Sequence, residues 1–287
     1  MSPLPVPQVV YGSASGRHDF RVLAASPEVS RDDLDVIDRH SNLGGSAQTA
    51  EDPPPLFAFY PLGSGRHAFS RTAFLGGGGR GNDYLAHVLV LSDEALTLLR
   101  GDLFLLAGGE AGIFRDAKPA VGSELPALAL DREAVAERAV RPCGADADGS
   151  VSRSRLAGVL SALAAGTAVV EAAPAEGVAL VRSVLSVLPP DDRRQLSFTT
   201  RFSSPRRSRF RLCVHLPEDT GLVDRYLARE TPRGAGDVQA AAEARLARVA
   251  GEREPVEPVF GVSWLGDPRR ADRLTAGLGE WIAAAGA

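Results

Sequence analysis

Among 287 residues there are two cysteines, one methionine and, out of 32 basic residues, a single lysine, Lys118. Each shortage excludes something. Cys143 and Cys213 are too few to staple a chain of this length, so a disulfide-built secreted scaffold is ruled out and both read as reduced thiols. No apolar run approaches the ~18 residues of a membrane span, and the longest, such as 85–91, have the length of a strand. The opening residues, MSPLPVPQVVYGSASG, lack the basic start and apolar block of a secretory signal, and a cytoplasmic location is expected. An excess of positive charge is missing too. The formal net charge of −4 argues against general binding of nucleic acid or of anionic membranes. What is plentiful is glycine, at 30, proline, at 20, and arginine in place of lysine. That combination is the imprint of a GC-rich bacterial coding sequence, and it weakens any argument made by counting arginines alone.

Hydrophobic residues make up 44% and charged residues 24%, a balance that supports a packed core and excludes a disordered chain. Up to about residue 115 the apolar residues come in short clusters bounded by Gly, Pro, Asn or Asp. Residues 8–11, 20–25, 56–60, 67–75 and 84–91 each have the length and the β-branched or aromatic content of a strand, with brief helices at 31–39 and 93–99. From about residue 130 the stretches lengthen. Residues 131–140, 152–165 and 175–188 read as helices, the second with apolar residues at 156, 159, 160, 163 and 164 in the spacing of one helical face. Residues 167–172 read as a strand, 196–200 and 210–216 as an antiparallel pair around an Arg-rich turn, and 219–230, 236–251 and 267–284 as a helical tail. Pro142 and the glycines of 144–149 mark a boundary. The expected fold class is α+β, with a β-rich domain of mixed or antiparallel sheet at 1–142 and an α/β domain with a helical tail at 150–287.

Residues 76–81, GGGGRG, satisfy G-x-G-x-x-G after a strand. The residues that follow, 83–90, read as another strand, whereas a pyrophosphate site needs a helix whose N-terminal amides face the anion. No Lys-Ser or Lys-Thr follows, so a P-loop is excluded and the glycines read as a hairpin connection. Around that connection lie Arg66, His67, Arg71, Arg80, Asn82 and His87. If the two strands pair, Arg71 and His87 come together, and alternation puts His87 and Leu89 on one face and Val88 and Val90 on the other. Such a cluster suits an anion or an acidic partner. His87 equally suits a satisfied core histidine, and Arg71 an internal ion pair.

A second charged feature spans 191–211, where Arg193, Arg194, Arg201, Arg206, Arg207, Arg209 and Arg211 stand against Asp191 and Asp192. Guanidinium forks pair with carboxylate or phosphate, and the interleaved Phe198, Phe202 and Phe210 suit core anchors better than base-stacking platforms. Catalytic constellations are otherwise missing. The five histidines, at 18, 40, 67, 87 and 215, fall outside zinc-ligand spacings. No G-x-S-x-G elbow is present, and residues 146–149 lack the first and last ligands of a calcium loop. Neither a metal nor a cofactor is expected.

Two stretches carry a resemblance. Tyr11-Gly12, residues 20–26 (FRVLAAS), 71–76 (RTAFLG) and 81–90 (GNDYLAHVLV) resemble the N-terminal domain of bacterial GTPase-associated proteins, and residues 184–200 (VLSVLPPDDRRQLSFTT) resemble their middle domain. The resemblance covers about residues 8–215. It implies a multidomain bacterial setting linked to small GTPases and to conflict or defence systems, with these domains acting as adaptors. Its signatures are structural, so it implies no catalytic residue. The four glycines before Arg80 depart from the family pattern, in which an acidic residue is common.

Three functions remain open at this point. The leading one is a non-catalytic adaptor that docks a protein partner, by resemblance a GTPase, through Arg66, Arg71, Arg80, Asn82 and His87 and through Arg206, Arg207 and Arg209. The second is a hydrolase or nucleotide-handling enzyme centred on His87, Arg71 and Asn82. The third is a nucleic-acid sensor using residues 206–211.

Overall fold

The computed structural model describes residues 2–14, 19–42, 55–75, 83–107, 113–139, 151, 153–165, 168–188, 190–201 and 210–215. In chain order these form β1 (Leu4–Val6), β2 (Gln8–Ser13), β3 (Phe20–Ala25), α1 (Arg31–Ser41), β4 (Leu56–Pro61), β5 (His67–Phe74), β6 (Tyr84–Leu91) and α2 (Asp93–Leu98). A 3-10 turn at Leu103–Leu105 is followed by β7 (Ser123–Glu124), β8 (Leu128–Leu130), α3 (Arg132–Ala139), α4 (Arg153–Ala165), β9 (Ala168–Glu171), α5 (Pro174–Val187), α6 (Pro190–Gln195), β10 (Phe198–Thr199) and β11 (Leu212–His215). The fold is α+β. Nine strands join in one sheet of order β7-β3-β2-β6-β5-β4-β10-β11-β9, and β1 pairs separately with β8.

The centre of the sheet is antiparallel, β3-β2-β6-β5-β4. Its middle strand, β6, reads YLAHVLVL and is buried along its whole length, as an apolar run flanked by strands on both sides requires. Alternation divides it. Leu89 and Leu91 join Phe57, Phe59 and Phe69 under α2, the 3-10 turn, α4 and α5 in the largest core cluster. Val88 and Val90 turn to the other face, where they meet Val9, Ala68, Tyr60 and Ile37 of α1. Ser30 caps α1 by accepting the Asp33 N–H at 3.2 Å, and the acidic first turn and basic last turn suit the helix dipole.

The strands that follow residue 165 continue the same sheet. β10 runs antiparallel to β4, with Phe198 opposite Phe59 and Thr199 opposite Ala58. Just beyond the ladder Thr200 and Phe57 exchange two bonds, Thr200 N–H to the Phe57 carbonyl and Phe57 N–H to the Thr200 hydroxyl oxygen, both at 2.8 Å. Strands from either side of the expected boundary are thereby hydrogen-bonded to each other. The boundary itself, 142–150, lies outside the described residues, as do the helical tail and the glycines of 76–82.

One expectation is corrected. β10 and β11 are parallel, with Phe198 opposite Leu212, and β11 is parallel to β9 in turn. A parallel pair cannot be closed by a tight turn, because the chain must return to the same end of the sheet. β10 and β11 are therefore not the two arms of a hairpin, and residues 202–209 between them lie outside the described residues. The expectation failed because two short apolar runs around a polar segment look alike in either direction. α5 ends at Val187, close to the expected 188, and Pro190 starts α6, where a proline's fixed φ fits the first helical position.

Candidate functional site

Register brings the two predicted neighbours together: Arg71 of β5 lies directly opposite His87 of β6. Val10 of β2 flanks His87 and Phe57 of β4 flanks Arg71, so the four make one row across the sheet. A strap of residues 113–118 crosses this row. Its Phe114 is buried and stands edge-on to His87, Phe69 and Phe57, with ring centroids at 5.5, 5.7 and 6.4 Å.

His87 is 0% exposed, and both ring nitrogens are occupied. Nδ1 accepts the backbone N–H of Arg115 at 2.9 Å, and Nε2 lies 2.9 Å from the amide oxygen of Gln8. An amide oxygen only accepts, so the proton sits on Nε2 and the ring is neutral. Gln8 completes its own bonding by donating to the Pro126 carbonyl at 2.6 Å and accepting from Arg115 Nε at 3.3 Å. Burial pushes the His87 pKa down to about 4, with the charges of Arg115 and Arg71 acting in the same direction and Asp116 against it. A neutral, doubly bonded, covered ring has no free nitrogen to offer a substrate.

The strap is pinned from outside by two ion pairs. Arg71 Nη1 lies 2.5 Å from Asp116 Oδ1, and Lys118 Nζ donates to both carboxylate oxygens of Asp83 at 2.7 Å. The first pair is lopsided in exposure: the Arg71 side chain is 23% accessible and that of Asp116 71%.

Arg66 belongs to a different contact. Its Nη2 is 2.8 Å from Oδ2 of buried Asp33, and it also reaches the Glu28 carbonyl and the Ser64 hydroxyl. Burial pushes the Asp33 carboxyl up, but hydrogen bonds from Ser64, Arg66 and Ser30 outweigh it and hold the group below its ordinary 3.8. Arg66 thus ties β5's entry turn to the first turn of α1.

Arg80, Asn82, Arg206, Arg207 and Arg209 lie outside the described residues. The other arginines of the basic stretch are structural joints. Arg193 donates to the Leu188 and Ser186 carbonyls at the end of α5 and to the Arg100 carbonyl after α2, at 2.7, 3.3 and 3.1 Å. Arg194 reaches Thr97 and Asp191, and Arg211 donates to the Leu163 carbonyl of α4. Arg201 is buried.

Sequence reasoning found the Arg71–His87 pair and missed everything that engages it. Gln8 is 79 residues from His87 and Asp116 is 45 from Arg71, and nothing local marks either. Among the described residues no group of three or more His, Cys, Asp or Glu side chains is placed to hold a metal, and no helix is long and apolar enough to cross a membrane.

Residues 5–129 match the family model described as GTPase-associated protein 1, N-terminal domain type 2, and residues 145–230 match that of the GTPase-associated protein 1 middle domain. No curated protein matches the chain.

Proposed function

The chain belongs to the GTPase-associated protein 1 family, and from that premise we propose that it is a non-catalytic docking module for a protein partner, a GTPase, in the cytoplasm of a bacterium and in a conflict or signalling system. The observation that carries the reading is the state of His87. The histidine paired with Arg71 in the strand cluster is wholly buried, neutral and bonded at both nitrogens. It acts from beneath, by holding the strap. The outward groups are Arg71, Asp116 and Arg115, and arginines suit interfaces because the guanidinium fork pairs with carboxylates. Arg66, Arg80, Asn82, Arg206, Arg207 and Arg209 are proposed to extend this surface.

The test is direct. The full chain, immobilised, is exposed to lysate of its host; any GTPase retained is purified and its binding measured with GDP and with a non-hydrolysable GTP analogue. Saturable binding of a purified GTPase supports the reading. Turnover of nucleotides or esters by the chain alone, lost in His87→Gln, would overturn it in favour of an enzyme.

A further inference from the structure

We propose that Asp116 is a built-in stand-in for a partner's carboxylate: it occupies Arg71 in the free chain and yields that position when an acidic side chain of a docking protein arrives. The inference rests on the docking reading and names the chemistry of its contact.

The two halves of the ion pair are held very differently. Arg71 sits in β5, paired in register with Phe57 of β4 on one side and His87 of β6 on the other, and its side chain is 23% accessible. Asp116 sits outside any strand or helix and is 71% exposed. The cation is fixed and the anion is replaceable. An ion pair with one partner so exposed contributes little net stability, because the charges gain in water nearly what they gain from each other. Among the described residues Asp116 engages one arm of the guanidinium, Nη1, whereas a carboxylate approaching from solvent can take both arms.

Exchange does not require the strap to open. Phe114 remains buried against three rings, the Arg115 N–H remains on His87, and Lys118 remains on Asp83. Once Asp116 leaves, the strap and strand present Arg71 together with Arg115, which is exposed, is anchored through Nε on Gln8 and, like Arg71, lies close enough to His87 for its charge to act on the ring. Lys118 stays neutralised by Asp83. The opened position is thus a pair of oriented guanidinium groups, which selects an acidic protein segment.

The experiment uses the full chain and, as probe, an acetylated and amidated hexaglutamate peptide titrated at low salt. Asp116→Asn removes the competing charge, and binding is expected to tighten by about two- to fivefold, the range of an exposed ion pair. Arg71→Gln, and the double variant, are expected to lose the binding. Opposite signs for the two partners of one ion pair are the signature, since a purely structural pair would lose or keep binding together. Equal affinity in wild type and Asp116→Asn, or weakening in both single variants, would overturn the proposal. If Arg71→Gln proves unfolded by circular dichroism, Arg71→Lys replaces it; that variant keeps the charge without the fork, and an affinity matching wild type would count against the proposal. Because no GTPase takes part, failure to capture one would overturn the partner assignment alone, and an unchanged peptide affinity would overturn the role of Asp116 alone.

Discussion

The backbone N–H of Arg115 donates to Nδ1 of His87 at 2.9 Å, so a strap 28 residues further along the chain is hung on β6, the middle strand of the antiparallel five, by a side-chain lone pair. The bond exists only while the ring is neutral. Gln8, on the neighbouring strand, fixes which nitrogen carries the proton.

Removing the ring should be costly for stability. His87→Ala leaves a void under Phe114, takes the acceptor from the Arg115 N–H and leaves the Gln8 amide oxygen with Arg115 Nε alone. The expected loss is about 2–4 kcal/mol, read from urea denaturation at neutral pH. A loss under about 1 kcal/mol would mean that the strap is held without the histidine.

The same ring sets a pH dependence. Its pKa is near 4 in the fold against 6.5 when unfolded, so the unfolded chain binds the additional proton. The contribution is present in full above pH 6.5 and is lost as pH falls toward 4, with a limiting slope of about 1.4 kcal/mol per pH unit. His40 and His67, both lowered first by burial, act in the same direction. His87→Gln keeps an acceptor but no titration. Its stability is therefore expected to fall less than that of wild type between pH 6.5 and 4, by roughly 3 kcal/mol. Parallel pH profiles for the two proteins would contradict the buried neutral ring.

Thr200 and Phe57 predict a shared fate for the two family modules. Thr200→Val keeps the shape but deprives the buried Phe57 N–H of its acceptor, at a cost of about 1–3 kcal/mol. The loss should appear in hydrogen exchange of β4 and of β10 alike. A full chain cut at a protease site inserted between residues 141 and 149 is expected to remain one species on gel filtration. Two separate species would show that the seam does not hold the modules together.

Gly177 marks a close approach in the second module. A Cβ there would lie 3.0 Å from the Thr200 carbonyl oxygen and 3.0 Å from Cγ1 of Val214. Gly177→Val forces α5 away from β10 and β11 and is expected to cost about 1–3 kcal/mol in thermal or chemical unfolding. An unchanged or raised stability would mean that α5 can slide.

How much of this was legible in the sequence follows from what each feature depends on. β3 and β6 were readable to the residue, because alternation and flanking turn formers are local signals. The Arg71–His87 juxtaposition followed, since two strands joined by a glycine-rich connection have one natural pairing. The parallel β10 and β11 were not readable: direction is set by β4 and β9, far away in sequence. Asp33, Gln8, Phe114 and Asp116 were invisible for the same reason. Each is an ordinary residue made important by a partner tens of residues distant. The basic stretch misled in a different way, because charge in a sequence does not say which carbonyl a guanidinium will find; Arg193 and Arg211 found helix ends.

The most direct measurement of the central claim is binding of the purified full chain to a purified GTPase recovered from its host, by calorimetry in wild type and in His87→Gln. Docking without catalysis predicts saturable binding in both, of similar affinity, with no nucleotide turnover by the chain itself. Absence of binding to any host GTPase, together with nucleic-acid binding that weakens steeply with salt, would contradict it.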